Sequence, residues 1–260
     1  MRDFTLTKYK ELCTAIINSE YIPVTVKDYC LGKIPEKFII LRHDVDRAPG
    51  NALKMAMIEN KFGMNTTYYF RTIPGVFRPE IIKEIKGLGH EIGYHYEVLD
   101  KSKGDYDKAI KLFENELKKS REICEIKTIC MHGNPLTPWN NKDLWKHYEF
   151  KKYGIIGEAY LSINYSNILY FSDTGRTWSN KYSVKDIVNT HHSIKTTQDL
   201  TDLIKENEGN IYIVTHPQRW DNSFIPWLRE LTFQSIKNIG KVGIKCLKSS
   251  QVINYEKKSR

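Results

Sequence analysis

Two carboxylates set two residues apart, Asp44 and Asp46, close the apolar run KFIILRHDVDR over residues 37–47. On an extended chain such residues point to one side, while His43 and Val45 point to the other. Like charges placed this way repel unless a cation or a proton lies between them. The pair therefore suits cation binding combined with proton abstraction, and a solvated strand end is the plain alternative. The run itself is isoleucine-rich and ends abruptly in charge, which predicts a strand buried on both faces that delivers its acids at its C-terminal end. Three further stretches end an apolar segment in histidine: GHEIGYH over 89–95, ICMH over 129–132 and IVTH over 213–216.

The elements that must position these residues alternate along the chain. Apolar spacing predicts helices over 7–18, 51–62, 79–88, 105–124, 198–207 and 224–239, the one over 105–124 being the most clearly amphipathic. Strands are predicted over 37–46, 65–70, 90–95, 126–131, 155–157, 168–171 and 211–215, with 19–35 a polar turn region. Strand-then-helix units whose strands end in reactive residue types predict an α/β fold, a parallel barrel with its site at the C-terminal face. At 260 residues, 40% of them hydrophobic, and with no low-complexity linker, the chain is expected to form one catalytic domain over 1–260, with 1–36 a helical extension packed on the barrel.

The net charge of +9 is spread along the chain rather than gathered in a basic arm, which argues against nucleic acid and leaves room for an anionic substrate or an anionic lipid surface. Five cysteines, Cys13, Cys30, Cys124, Cys130 and Cys246, form no CxxC and are expected to be buried thiols. The N-terminal residues lack a signal-type apolar core and no run of about 18 apolar residues occurs, so the expectation is a cytoplasmic protein without a transmembrane segment.

The D-x-D of Arg42-His43-Asp44-Val45-Asp46, the Gly89–His95 stretch and Ile213-Val214-Thr215-His216, in that order and spacing, resemble the polysaccharide deacetylases, carbohydrate esterase family 4. The resemblance implies a distorted (β/α)7 barrel of the glycoside hydrolase/deacetylase type and one divalent metal, usually zinc, that assists hydrolysis of an N-acetyl group on a sugar. Carried over by residue, it makes Asp44 the catalytic base, Asp46 and His95 metal ligands, and His216 the acid that protonates the departing amine. Zinc takes imidazole nitrogen and carboxylate oxygen at about 2.0–2.2 Å, which agrees with these residue types.

The sequence departs from the family pattern at the second metal-binding histidine, where Leu99 stands. His132 and Glu97 are the candidates for the third ligand, with His132 favoured because imidazole replaces imidazole. His90 is expected to be structural, and His191-His192 an exposed loop. The family's arginine motif is also missing after the fourth strand. Asp173 is expected to orient Arg176, and Arg176 to hold Asp44 ionised. Arg71 at its strand end, and Trp178, Arg219 and Trp220 in loops, are the candidates for substrate contact, as is Trp139 more weakly.

The reading that follows is a metal-dependent hydrolase acting on a carbon–nitrogen bond of a sugar or glycan-biosynthesis intermediate. A barrel that binds saccharide without hydrolysing it is the alternative.

Overall fold

The computed structural model describes residues 2–179, 181–182 and 194–240; His191, His192 and Cys246 lie outside them. The scaffold is a parallel sheet built from β2 (Phe38–Val45), β3 (Thr67–Phe70), β4 (Glu91–Tyr96), β5 (Thr128–Met131), β6 (Gly157–Glu158), β7 (Ile168–Ser172) and β8 (Asn210–Thr215). The spatial order is β6-β5-β4-β3-β2-β8-β7. Strands β2 to β6 follow in chain order on one side, and β8 and β7 return on the other. The curled sheet is thus a distorted (β/α) barrel of seven strands, with β6 and β7 as its free edges. Its helices are α1 (Leu6–Ile17), α2 (Val26–Cys30), α3 (Pro49–Lys61), α4 (Pro79–Gly87), α5 (Val98–Lys101), α6 (Tyr106–Arg121) and α7 (Thr197–Glu206), and residues 224–240 form a further helix.

Local signals explain most boundaries. Asp105 caps α6 by accepting from the Lys108 N–H at 2.9 Å, and Ile110, Phe113 and Leu117 form its buried face. A capping box between Thr196 and Asp199 starts α7. The region over 19–35 differs from expectation. It contains a short strand β1 (Ile22–Val24) that pairs with Phe38–Ile40 of β2, followed by α2 with its own capping box, Thr25 and Asp28. Three residues are too few to show a period of two, so the pairing partner, not the pattern, makes this strand. The strand expected over 155–157 is shifted to Gly157–Glu158.

Every residue of β2 is buried, and its alternation divides the interior. Ile39 and Leu41 join Leu12, Ile16, Leu200 and Ile204 in the layer between the sheet and helices α1 and α7. Ile40 joins Tyr69, Tyr170 and Tyr212 in the other cluster. Gly93 of β4 is required there, because a Cβ would lie 2.2 Å from the Tyr69 ring. Of the cysteines, Cys13 and Cys130 are buried, Cys30 and Cys124 half-buried, and none of these four is in a disulfide.

His43 points to the outer layer, where a buried polar network ties β2 to its neighbours. Its Nδ1 lies 2.6 Å from Thr215 Oγ1 of β8, and its Nε2 lies 2.7 Å from Glu59 of α3. Glu59 also accepts from Tyr9, from Thr66 at 2.8 Å and from Tyr68 at 2.6 Å, while the His90 ring stands 3.7 Å away and bonds the Ala56 carbonyl. His90 is therefore structural, remote from the strand ends. Burial opposes ionisation of Glu59, but His43, His90 and the hydroxyl donors hold it down to about 2. A depressed carboxylate stabilises the fold fully above its unfolded value near about 4.3, and that contribution, on the order of 3 kcal/mol, disappears as pH falls toward the folded value. We expect Glu59→Gln to lose about 3–5 kcal/mol in urea denaturation at neutral pH, with most of the difference from wild type gone near pH 2.

Candidate metal and catalytic site

A cavity of about 430 Å³ opens at the C-terminal ends of the strands, and Asp44, Asp46, His95, His132 and His216 all line it. Five residues from four strand ends meet because a parallel barrel points every strand's C-terminus to one mouth.

Asp44 is held from below by Arg42, two residues earlier on the same face of β2. Arg42 Nε donates to Oδ1 at 2.9 Å and Nη2 donates to Oδ2 at 2.8 Å. The same guanidinium donates to Tyr212 Oη at 3.2 Å and Tyr160 Oη at 2.8 Å, and lies over the Tyr160 ring. Burial raises the pKa of the Asp44 carboxyl, but Arg42 first, then His95 and His216, bring it below the usual range. Asp44 is thus an ionised carboxylate inside a protein interior.

After Val45 the chain turns at once. The Asp46 N–H donates to the Asp44 carbonyl at 3.0 Å, closing a three-residue turn, so the two acids are not related by strand spacing. They still face the same space. Asp46 Oδ2 accepts from Gln218 Nε2 at 3.3 Å, whereas its buried Oδ1 has no hydrogen-bond partner. That oxygen lies 3.4 Å from His95 Nε2 and 3.6 Å from His132 Nε2.

The other ring nitrogens decide what these contacts mean. His95 Nδ1 is 3.0 Å from the Cys130 carbonyl, which can only accept, so Nδ1 carries the proton. A neutral His95 then turns a lone pair toward the lone pairs of Asp46 Oδ1, and only a cation or a second proton between them removes the conflict. Burial would lower the His95 pKa, yet Asp44 and Asp46 raise it above its ordinary value. Behind His132, Glu97 Oε2 stands 3.3 Å from Nδ1, and Glu97 is itself paired with Arg71 at 2.5 Å. Burial works against it, but His132 and Arg71 hold the Glu97 carboxyl down to about 2.

The residues fit a divalent metal. The unpartnered Asp46 Oδ1 faces two imidazole nitrogens whose opposite nitrogens abut a carbonyl and a carboxylate, the support that orients metal-binding histidines. Among the described residues, the groups whose ligand atoms all lie within 4.8 Å of one another are Asp44 with His95 and Cys130, and Glu97 with Asp100 and His132. In the first, Arg42 already occupies Asp44; in the second, Asp100 accepts from Thr137, Trp139 and Asn141. Leu99, where the resemblance expects histidine, is buried in the core at the start of α5. Its N–H donates to Asn141 Oδ1, and Asn141 Nδ2 donates to the His132 carbonyl at 2.8 Å. One asparagine therefore ties the buried leucine to the loop that presents His132.

No protein-family model matches the sequence, and no curated protein matches it. A solved structure described as a "putative polysaccharide deacetylase from Mycobacterium smegmatis" is similar at 14% identity with a TM-score of 0.45, over 69% of this chain and 76% of that one.

At the end of β8, His216 Nε2 is 3.9 Å from Asp46 Oδ2. Asp173 accepts from the His216 backbone N–H at 2.9 Å and lies 2.6 Å from its Nδ1. Nδ1 also lies 2.8 Å from Arg219 Nη1, so this side of the ring is held between a carboxylate and a guanidinium while Nε2 faces the cavity. Asp173 also takes Arg219 Nη1 and, at 2.9 Å, Trp220 Nε1. Burial opposes its ionisation, but Arg219 and His216 hold it down to about 2.

Several expected roles change. Arg176 does not hold Asp44: it sits in a left-handed turn closed by its N–H to the Asp173 carbonyl, and its guanidinium bonds the Arg219 carbonyl and lies against Phe4 and Trp227. Arg42 has that role, and Asp173 orients His216 instead of Arg176. Trp178 and Trp220 are fully buried around Phe4 and cannot stack on a sugar, because packing the α1 side of the barrel consumes their faces. Trp139 is bonded to Asp100. Arg71 and Arg219 do line the cavity, each already paired with a carboxylate. Arg42 was findable in the sequence, since the period-two rule applied to the aspartates also places it beneath Asp44. Gln218 and Tyr160 carried no such signal. We expect Arg42→Met to leave Asp44 buried and unpaired at a cost of about 3–5 kcal/mol, read as a lower urea midpoint, with Asp44→Asn in the same background restoring much of the loss.

Proposed function

We propose that the chain is a metal-dependent hydrolase that removes an N-acetyl or related acyl group from a sugar or glycan-biosynthesis intermediate. The observation that carries this reading is the unpartnered Asp46 Oδ1 facing His95 and His132, beside an Asp44 kept ionised by Arg42. In this reading Asp46, His95 and His132 hold the metal, most reasonably Zn²⁺ given two nitrogens and one oxygen. When bound, such an ion acidifies water and polarises a carbonyl oxygen.

The chain's own residues supply the rest. Asp44 accepts the proton of the attacking water, with its charge kept by Arg42 at some expense in basicity. His216, its ring held by Asp173 and Arg219 at Nδ1, delivers a proton from Nε2 to the departing amine. Asp173 and Arg219 position that imidazole rather than touch substrate. Tyr160, Ser172 and Thr174 on the cavity wall are hydroxyl groups suited to a sugar.

The test is zinc content and acetate release from N-acetylated sugars by the purified protein. About one equivalent of zinc is expected, and Asp44→Asn should keep it while losing turnover by at least about a hundredfold. Zinc retention with near wild-type turnover in that variant would remove Asp44 as the base. Glu97→Gln is expected to weaken zinc affinity about 10- to 100-fold in a chelator competition. A protein that binds saccharide but no metal would favour the non-hydrolytic reading.

A further inference from the structure

The helix over 224–240 turns an apolar stripe outward. Its inward face mixes half-buried Trp227 and Leu231 with polar groups: Glu230 pairs with Arg47 at 3.0 Å and Asn238 Nδ2 donates to the Gly175 carbonyl at 3.0 Å. Gln234 is buried on the same face. The outward face is apolar, with Ile225, Leu228, Ile236 and Ile239 on one stripe at helical spacing; the three isoleucines are 74%, 70% and 75% exposed. Water is a poor partner for such a face, and a stripe of this kind marks a contact surface.

The charges around the stripe identify its partner. Glu230 is the helix's acid, and it is buried against Arg47; Arg229 is the exposed charge beside the stripe, and Lys237, also exposed, lies on the cavity side. Arg2 lies over the rings of Phe224 and Trp227, and Lys237 over that of Phe233. In sequence, residues 241–260 add six basic residues against one acid, Glu256. Two copies of the chain packed through this stripe would oppose cation to cation. An anionic lipid surface accepts both components, isoleucines below the headgroups and lysines and arginines among the phosphates.

We propose that the outward face of the helix over 224–240 docks on an anionic membrane surface. No helix among the described residues is long and apolar enough to cross a membrane, so the contact is interfacial. Phe233, Gln234 and Lys237, on the other side of the same helix, line the cavity, so the docked helix carries cavity residues on the side turned away from the lipid. The proposal does not depend on hydrolysis, because its test reads binding alone.

The full chain is sedimented with vesicles of phosphatidylcholine, with and without phosphatidylglycerol, and its self-association is measured by analytical ultracentrifugation. Binding is expected to the phosphatidylglycerol vesicles and to weaken as salt rises. The double variant I236E/I239E, with an unchanged circular dichroism spectrum, should lose at least about tenfold in partitioning. Arg229→Glu, which leaves the isoleucines in place, should weaken binding to anionic vesicles only. Absence of sedimentation, or equal partitioning of the double variant, would overturn the proposal. So would a wild-type dimer that the double variant turns into a monomer, since the stripe would then belong to a second copy.

Discussion

The buried pair between Arg42 and Asp44 is the interaction on which the site depends. Placing a guanidinium and a carboxylate inside a barrel costs several kcal/mol for each ion, and attraction offsets this only where the geometry is good and the remaining donors are satisfied. Both conditions hold here. The contact is bidentate, and Tyr160 and Tyr212 take two further donors while aromatic rings surround the cation. Gly93 makes the space in which the Tyr69 ring can stand. The interior layer that would be apolar in a purely structural barrel is given over to keeping one carboxylate charged.

The three histidines at the mouth share an orientation. In each, Nδ1 faces an acceptor: the Cys130 carbonyl for His95, Glu97 for His132, Asp173 for His216. Each therefore turns Nε2 toward Asp46. These partners come from different parts of the chain and act differently: the Cys130 carbonyl sets the His95 tautomer, Glu97 stands 3.3 Å from a His132 Nδ1 that makes no hydrogen bond, and His216 Nδ1 meets Arg219 as well as Asp173. Arginines stand behind two of the supports, Arg71 at Glu97 and Arg219 at Asp173. Two residues that sequence suggests for substrate contact are in this way engaged in keeping carboxylates ionised.

Much of the architecture was legible because it depends on local rules. The alternation of apolar strands with amphipathic helices carries the parallel barrel, and strand ends rich in acid and histidine mark its mouth. Asp44, Asp46, His95, His132 and His216 could be named from strand ends, since a parallel barrel brings those ends together whatever the connections do. What was not legible concerns side chains whose meaning is their neighbour. Trp178 and Trp220 look the same in sequence whether they face a sugar or fill the space around Phe4. Leu99 reads as a lost ligand until α5 turns it inward. The outward direction of the apolar stripe on the helix over 224–240 is invisible too, because periodicity reveals an apolar stripe but not which way it points.

The sequence by itself determined the fold class, the mouth at which the site forms and the residue types available there, all of which follow from backbone periodicity and strand polarity. Only the tertiary structure decided the partnerships: that Arg42 and not Arg176 serves Asp44, that Asp173 steadies His216, and that Glu97 stands behind His132. Hydrogen bonds and ion pairs act over about 3 Å between atoms far apart in the chain, and sequence spacing has no access to that distance until the barrel closes around it.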